Sequence, residues 1–367
     1  MRALFTPLRL RGLELANRIV VSPMCQYAAE DGRATAWHLV HYGALAMGGA
    51  ALLMVEATAV TAEGRITRHC LGLWDEDCAQ AMVPVLDFCR RHGTARLGIQ
   101  LGHAGRKGSA HRPLDGGGPL TRAEGAWTTL APSPVPFDDG WPAPRAAREE
   151  DLFSLLDAYA RAAARAARLG FDLLELHMAH GYLLHQFLSP LSNRREDAWG
   201  GSFANRVRFP LAVFERVRAV WPGDRPLGVR VSATDWVEGG WTVEDTVALV
   251  RLLAERGVDF VDVSSGGLHP TQRVPLAPGF QVPFAEEIRR RTGVPVCAVG
   301  LITGPQQAEG IVADGRADLV ALARGFLDDP HWAWHAARDL GVEIAYPAQY
   351  VRAHPRHWPG AGPMRRP

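Results

Sequence analysis

The sequence predicts an α/β protein, a (β/α)8 TIM barrel with an inserted capping segment after the third strand. Three observations lead there: eight short apolar runs, their regular alternation with helical patterns, and a single long irregular connection. Strands are expected at Arg18 to Ser22, Ala51 to Glu56, Arg96 to Leu101, Leu173 to His177, Leu227 to Val231, Phe260 to Ser264, Val296 to Val299 and Leu319 to Ala323. Each is a run too short for a helix, and most are rich in valine or leucine. Helices are expected at Cys78 to Arg91, Glu149 to Arg168, Phe203 to Val220, Val243 to Arg256, Phe284 to Arg291 and Pro305 to Ala313. Thr242 is a start signal, and Gly93, Gly170, Gly257, Gly293 and Gly315 are stop signals. Alternation of this kind implies right-handed crossovers and a parallel sheet, and eight repeats favour closure over an open sheet.

The irregular connection runs from Gly102 to Arg148 and is rich in Gly, Pro, Ala and Trp. Loops of that length inside a compact domain are usually functional, so 102–148 reads as a cap over the barrel mouth, with a small hairpin expected inside it. Trp127, Leu130, Phe137 and Trp141 supply its apolar anchors. Residues 347–367 are Pro-, His- and Arg-rich and read as an extended C-terminal tail. The expected organisation is one barrel domain over 1–367.

Composition narrows the function. The chain has 367 residues, 47% of them hydrophobic and 22% charged, which suits a globular protein with a large core. A net charge of +1 offers no field to recruit nucleic acid or an anionic membrane, so small-molecule partners are expected. No apolar run approaches a membrane span, and Met1 to Pro7 lacks a signal peptide's apolar region, giving the expectation of a cytoplasmic location. The cysteines Cys25, Cys70, Cys78, Cys89 and Cys297 are odd in number and contain no C-x-x-C pair, so reduced thiols and no metal cluster are expected. Lys107 is the only lysine.

Chemistry in such barrels gathers where strands end. The fourth strand runs into His177-Met178-Ala179-His180-Gly181-Tyr182, two histidines and a phenol beyond a buried edge. The first ends in Ser22-Pro23-Met24-Cys25-Gln26-Tyr27, the second in Glu56-Ala57-Thr58, and the third in Gln100 to Lys107. The fifth gives Arg230-Val231-Ser232, the sixth Ser264 to Gly267, the seventh Gly300 to Thr303, and the eighth Ala323-Arg324-Gly325. Barrels commonly hold phosphate with the loops after strands seven and eight, where small residues and Arg324 stand here. A phosphate grip beside Cys, Tyr, Gln, His and Arg invites a phosphorylated redox cofactor, and FMN fits. Gln100 suits the pyrimidine edge of a flavin, and Arg230 suits the negative charge near N1 of its reduced form.

The chain resembles the Old Yellow Enzyme family of FMN-dependent ene-reductases along nearly its whole length, in the subclass of thermophilic-type enzymes and xenobiotic reductases. The resemblance rests on Asn17 to Tyr27, Gly98 to Lys107, the His177 cluster, and Leu188 to Arg195 with Asp197 and Gly200-Gly201-Ser202. It implies an oxidoreductase in which NADPH, or NADH, reduces FMN, and flavin N5 then passes hydride to the β-carbon of an electron-poor alkene. His177 and His180 match the paired donors to the substrate's oxygen, and Tyr182 matches the proton donor to the α-carbon. Ser22, Pro23, Met24 and Cys25 match residues beside the flavin, where Cys25 tunes its redox behaviour. Tyr27 matches a substrate-lining position. Ala57, Gln100 and Arg230 match flavin contacts, and Gly300, Ala323 and Arg324 match the phosphate grip.

Three positions bear on detail. Ala323 stands where the family often has glycine, so its methyl is tolerated only if the backbone avoids positive φ. Val299 stands where some xenobiotic reductases place a tryptophan, which implies a roomier pocket. Gln349-Tyr350-Val351-Arg352 resembles a tail that extends an arginine into a neighbouring subunit's active site, which assigns Arg352 to substrate binding and implies a homodimer or homotetramer. The His-x-x-His spacing also admits a zinc hydrolase, but no H-E-x-x-H helix accompanies it.

Overall fold

In the computed structural model, residues 2–361 are described. The last six positions of the expected C-terminal tail lie outside them. Eight parallel strands close into a barrel in sequence order. They are β1 (Ile19–Val21), β2 (Leu52–Ala59), β3 (Arg96–Gly102), β4 (Leu173–Met178), β5 (Leu227–Ser232), β6 (Phe260–Ser264), β7 (Val296–Val299) and β8 (Leu319–Leu322). Every expected strand is present, with ends that coincide or differ by at most three residues.

The outer ring contains α1 (Ala36–Ala46), α2 (Glu76–His92), α3 (Glu149–Arg168), α4 (Arg208–Arg218), α5 (Val243–Ala254), α6 (Val282–Thr292), α7 (Pro305–Ala313) and α8 (Trp332–Asp339). Thr242 caps α5 by accepting from the Asp245 N–H, while the Asp245 carboxylate accepts from the Thr242 N–H. The single helix expected over Phe203 to Val220 is two pieces, Phe203–Arg206 and α4, meeting at Val207. Pro210 is tolerated where it stands because it lies in the first turn of α4, where N–H groups lack helical partners anyway.

Alternation along each strand decides what faces inward. On β4, Leu174, Leu176 and Met178 join the cluster between barrel and helices, whereas Leu173 joins the interior cluster. Glu175 and His177 therefore follow Leu173 up the inner wall. A hairpin of Leu8–Leu10 with Leu13–Leu15 closes the floor, placing Leu10, Leu13 and Leu15 against Val20, Met54 and Phe260. Val299 belongs to this interior cluster and is 7% exposed, so it forms part of the barrel's filling rather than an open pocket wall.

The segment expected as a cap holds two short strands, Leu130–Ala131 and Arg145–Ala146, but they pair in parallel and so are not a hairpin. Arginines pin it through backbone carbonyls. Arg106 donates to Val135 O and Pro136 O in the cap, and across to Leu268 O. Arg195 donates to Pro132 O, and Trp127 Nε1 to Glu63 O. The tail is not simply extended: Ala348–Ala353 forms a 3-10 helix, and Tyr346 just before the tail stacks on Trp334 with centroids 4.0 Å apart.

Candidate active site

The strand ends build a bowl with a buried polar floor and a half-exposed rim. Ser22, Gln100, His177 and Arg230 are buried. Pro23, Met24, Cys25, Tyr27, Ala57, His180, Tyr182, Gly300 and Ala323 are half-buried around them, and Arg324 is exposed at the rim. Arg352 is exposed on the tail's 3-10 helix, outside this bowl in its own chain.

The turn after β4 is tightly specified. His180 has φ +59° and Gly181 φ +73°, both left-handed. A methyl group on Gly181 would come within 2.2 Å of Gly267 O, so that position needs glycine for space as well as conformation. Gly181 N–H donates to His185 Nδ1 at 2.9 Å, and Gln186 Nε2 donates to Gly181 O at 2.7 Å. His185 and Gln186 belong to a buried one-and-a-half-turn helix, Leu183–Leu188, that Tyr182 caps.

Three rings converge there. The His177 and His180 centroids are 5.0 Å apart at 88°, and those of His177 and Tyr182 are 5.0 Å apart at 79°. His177 Nδ1 accepts from Ala179 N–H at 3.3 Å, which assigns the ring proton to Nε2. His180 Nε2 lies 2.6 Å from Ser264 Oγ; with the hydroxyl donating, the His180 proton sits on Nδ1. Burial, followed by the nearby Arg230 charge, holds both imidazoles well below their ordinary pKa, so both are neutral donors at pH 7. Burial holds the Tyr182 phenol well above its ordinary value, keeping it protonated.

Around this core stand residues that strand-end reading left without a role. Lys107 Nζ donates to His180 O at 2.9 Å and Gly267 O at 2.8 Å. It faces the rings of Phe137 and Tyr182 at 4.6 and 5.2 Å from their centroids. Burial, then the Arg106 charge, lowers it to about 8. A β-bulge between Val55 and Ala57 turns the Glu56 side chain out of the β2 ladder while keeping Ala57 beside Gln100. The Glu56 carboxyl accepts from Tyr42 OH and Gln26 N–H, each at 2.9 Å, and burial raises it to about 8. It thereby anchors the loop that carries Cys25 and Tyr27. A hydrogen bond with Cys70, followed by burial, raises the Cys25 thiol well above its ordinary value and keeps it protonated.

Beneath the rings, Gln100 Nε2 donates to Glu175 Oε1 at 2.7 Å. Arg230 Nε lies 3.2 Å from Asp262 Oδ2, and its Nη1 donates to Ser22 Oγ at 3.4 Å. Glu175 and Asp262 went unassigned in the strand reading, although their signal is visible as a polar residue every second position in L-L-E-L-H and F-V-D-V-S.

A family model described as the NADH:flavin oxidoreductase / NADH oxidase family matches residues 3–343. The chain belongs to that family. An NADPH dehydrogenase of Geobacillus thermodenitrificans (strain NG80-2) is 47% identical over 351 residues, covering 95% of this chain and 98% of that one. Among solved structures, morphinone reductase matches with a TM-score of 0.76 at 27% identity, covering 94% of this chain and 91% of that one. A 2-naphthoyl-CoA reductase matches with a TM-score of 0.82 at 21% identity; this chain spans 52% of its length, and the likeness concerns the fold alone. The protein is thus an oxidoreductase of the Old Yellow Enzyme type, with FMN as cofactor and a reduced nicotinamide dinucleotide as electron donor.

The residues fit that cofactor. The bowl's buried floor presents an amide, Gln100, and a guanidinium, Arg230, whose Nε has no hydrogen-bond partner among the described residues. That set matches a ring with both acceptor and donor atoms on one edge. Ala323 has φ −106°, so its methyl group brings no left-handed strain. No helix among the described residues is long and apolar enough to cross a membrane.

Proposed function

We propose that this protein is an FMN-dependent ene-reductase acting on electron-poor alkenes such as enones, maleimides and nitroalkenes. The observation that supports this best is the convergence of two neutral, proton-bearing imidazoles and a protonated phenol above Gln100 and Arg230. Bound FMN, reduced by NADPH or NADH, supplies the hydride for the alkene's β-carbon.

The chain's own groups do the rest. Gln100 and Arg230 hold and polarise the ring, with Ser22, Pro23, Met24, Cys25 and Ala57 along its edge and Gly300, Ala323 and Arg324 toward its phosphate. His177 Nε2 and His180 Nδ1 donate to the carbonyl or nitro oxygen, where negative charge grows in the transition state. A single well-placed donor of this kind is worth about 3 to 4 kcal/mol. Tyr182 delivers its phenolic proton to the α-carbon, a step a group of high pKa can serve because the developing carbanion is strongly basic. Tyr27 lines the substrate's other side. Arg352 would complete the pocket of a second copy in a homodimer or homotetramer.

Anaerobic stopped-flow tests the assignment. The yellow holoenzyme should bleach with NADPH and regain colour on mixing with cyclohexenone or a maleimide. A colourless protein that fails to take up FMN overturns the reading, as does a reduced enzyme that no activated alkene reoxidises.

A further inference from the structure

Four polar side chains fill the barrel interior directly below the rings: Gln100 on β3, Glu175 on β4, Arg230 on β5 and Asp262 on β6. They come from adjacent strands, with Gln100 beside Glu175 and Asp262 beside Arg230 in the ladder. Their exposures are 1, 1, 7 and 3%. Two carboxyls thus share one guanidinium with almost no exposed surface. With both carboxyls ionised the group would carry an uncompensated buried charge, which costs several kcal/mol, so one proton must stay with the pair.

The hydrogen bonding is also incomplete. Although Arg230 Nε is 3.2 Å from Asp262 Oδ2, neither Arg230 Nε nor Asp262 Oδ1 completes a hydrogen bond among the described residues. Buried polar atoms are rarely left so, and an unpaired carboxylate oxygen is a place where a proton can be gained. The other titratable groups facing the pair stay neutral: burial raises the Cys297 thiol of β7, and His177 above is held unprotonated. Burial, then the Asp262 charge, raises Glu175 to about 8, and burial raises Asp262 as well.

We propose that Glu175 and Asp262 share one proton while the cofactor is oxidised and bind a second when it is reduced, so that the pair is a proton store coupled to the flavin. The nicotinamide brings two electrons and one proton to the ring. The second proton comes from solvent to the carboxyl pair and returns to solvent as the electrons pass to the alkene, whose α-carbon takes its proton from Tyr182, which solvent then reprotonates. The trio with Arg230 goes from neutral to singly positive, matching the negative charge that reduction adds above it.

This inference rests on the flavin reading, which FMN content and the visible spectrum check before any potential is measured. The test is the midpoint potential of the holoenzyme against pH, for wild type and the double variant Glu175→Gln/Asp262→Asn, because either single variant keeps one carboxylate beside Arg230 that can still take the proton. For a two-electron couple each coupled proton shifts the potential by about 30 mV per pH unit. The wild type should fall by about 60 mV per pH unit near neutrality while its reduced spectrum stays that of the anionic form. The double variant, where it retains FMN, should fall by about 30. A wild-type slope of about 30, a steep slope accompanied by the neutral reduced spectrum, or a slope of about 60 kept in the double variant overturns the proposal. Should the double variant not hold FMN, proton uptake on reducing the wild type, read with an indicator dye, decides: one equivalent taken up beyond that carried by the nicotinamide supports it, and none overturns it.

Discussion

The imidazole of His177 meets the phenol ring of Tyr182 edge to face, with centroids 5.0 Å apart and planes at 79°. The proposed donor to the substrate's oxygen and the proposed donor to its carbon are therefore fixed relative to one another before substrate arrives. Pre-organisation of this kind makes the two half-reactions separable by mutation.

Tyr182→Phe keeps the ring and loses the proton. Reoxidation of the reduced enzyme by an enone should slow by about 10² to 10⁴, while reduction by NADPH stays within a few fold. Equal loss in both half-reactions would remove Tyr182 from the proton-donor role.

Replacing both His177 and His180 with alanine takes away the two neutral donors. Binding of phenolic ligands, followed by the long-wavelength band they produce with oxidised flavin, should weaken by roughly 10² or more. Unchanged affinity would show that the oxygen is held elsewhere.

Lys107→Met leaves His180 O and Gly267 O without their ammonium donor and uncovers the face of Tyr182. Losing a donor to a partly buried carbonyl costs about 1 to 3 kcal/mol. A lower melting temperature is expected, together with about a tenfold loss in kcat/KM that Lys107→Arg does not restore, because a planar fork cannot reproduce the two-carbonyl geometry. Full activity in Lys107→Met would show that the turn stands without it.

Glu56 titrates at about 8 in the folded protein against 4.5 as its ordinary value. A raised folded pKa means the native state holds the proton more tightly, so its stabilising share is complete below pH 4.5 and is lost as pH rises through 8. Thermal unfolding of Glu56→Gln should consequently lose less stability between pH 5 and 8 than wild type does. Parallel curves would show that Glu56 does not titrate in this window.

The barrel was legible because its signal is local: Glu149–Arg168 and Pro305–Ala313 coincide with their expected helices, and β6 and β7 with their expected strands. Elements without a one-sided pattern were not. Helix α1 carries His38, His41, Tyr42 and Gly43 in its middle, and Leu183–Leu188 is buried on every side, so neither shows an amphipathic stripe. The bowl's residues were readable from strand ends. Their supports, such as Ser264 on His180 and Glu175 on Gln100, depend on contacts between strands that are distant in sequence. The cap's parallel pairing was hidden for the same reason, since it is held by Arg106 and Arg195 from outside the segment's own strands.

With forty basic side chains but one lysine among them, the chain presents almost no primary amines to reagents. Lys107 is the exception, and its amine, lowered to about 8, is partly nucleophilic under mildly alkaline conditions. Its position between Phe137 and Tyr182 makes its acylation, resolved by peptide mapping from that of the N-terminal amine, a chemical reporter on the mouth of the barrel. The rate at which that one amine is modified would measure how often the aromatic enclosure opens, and a bound ligand would slow it.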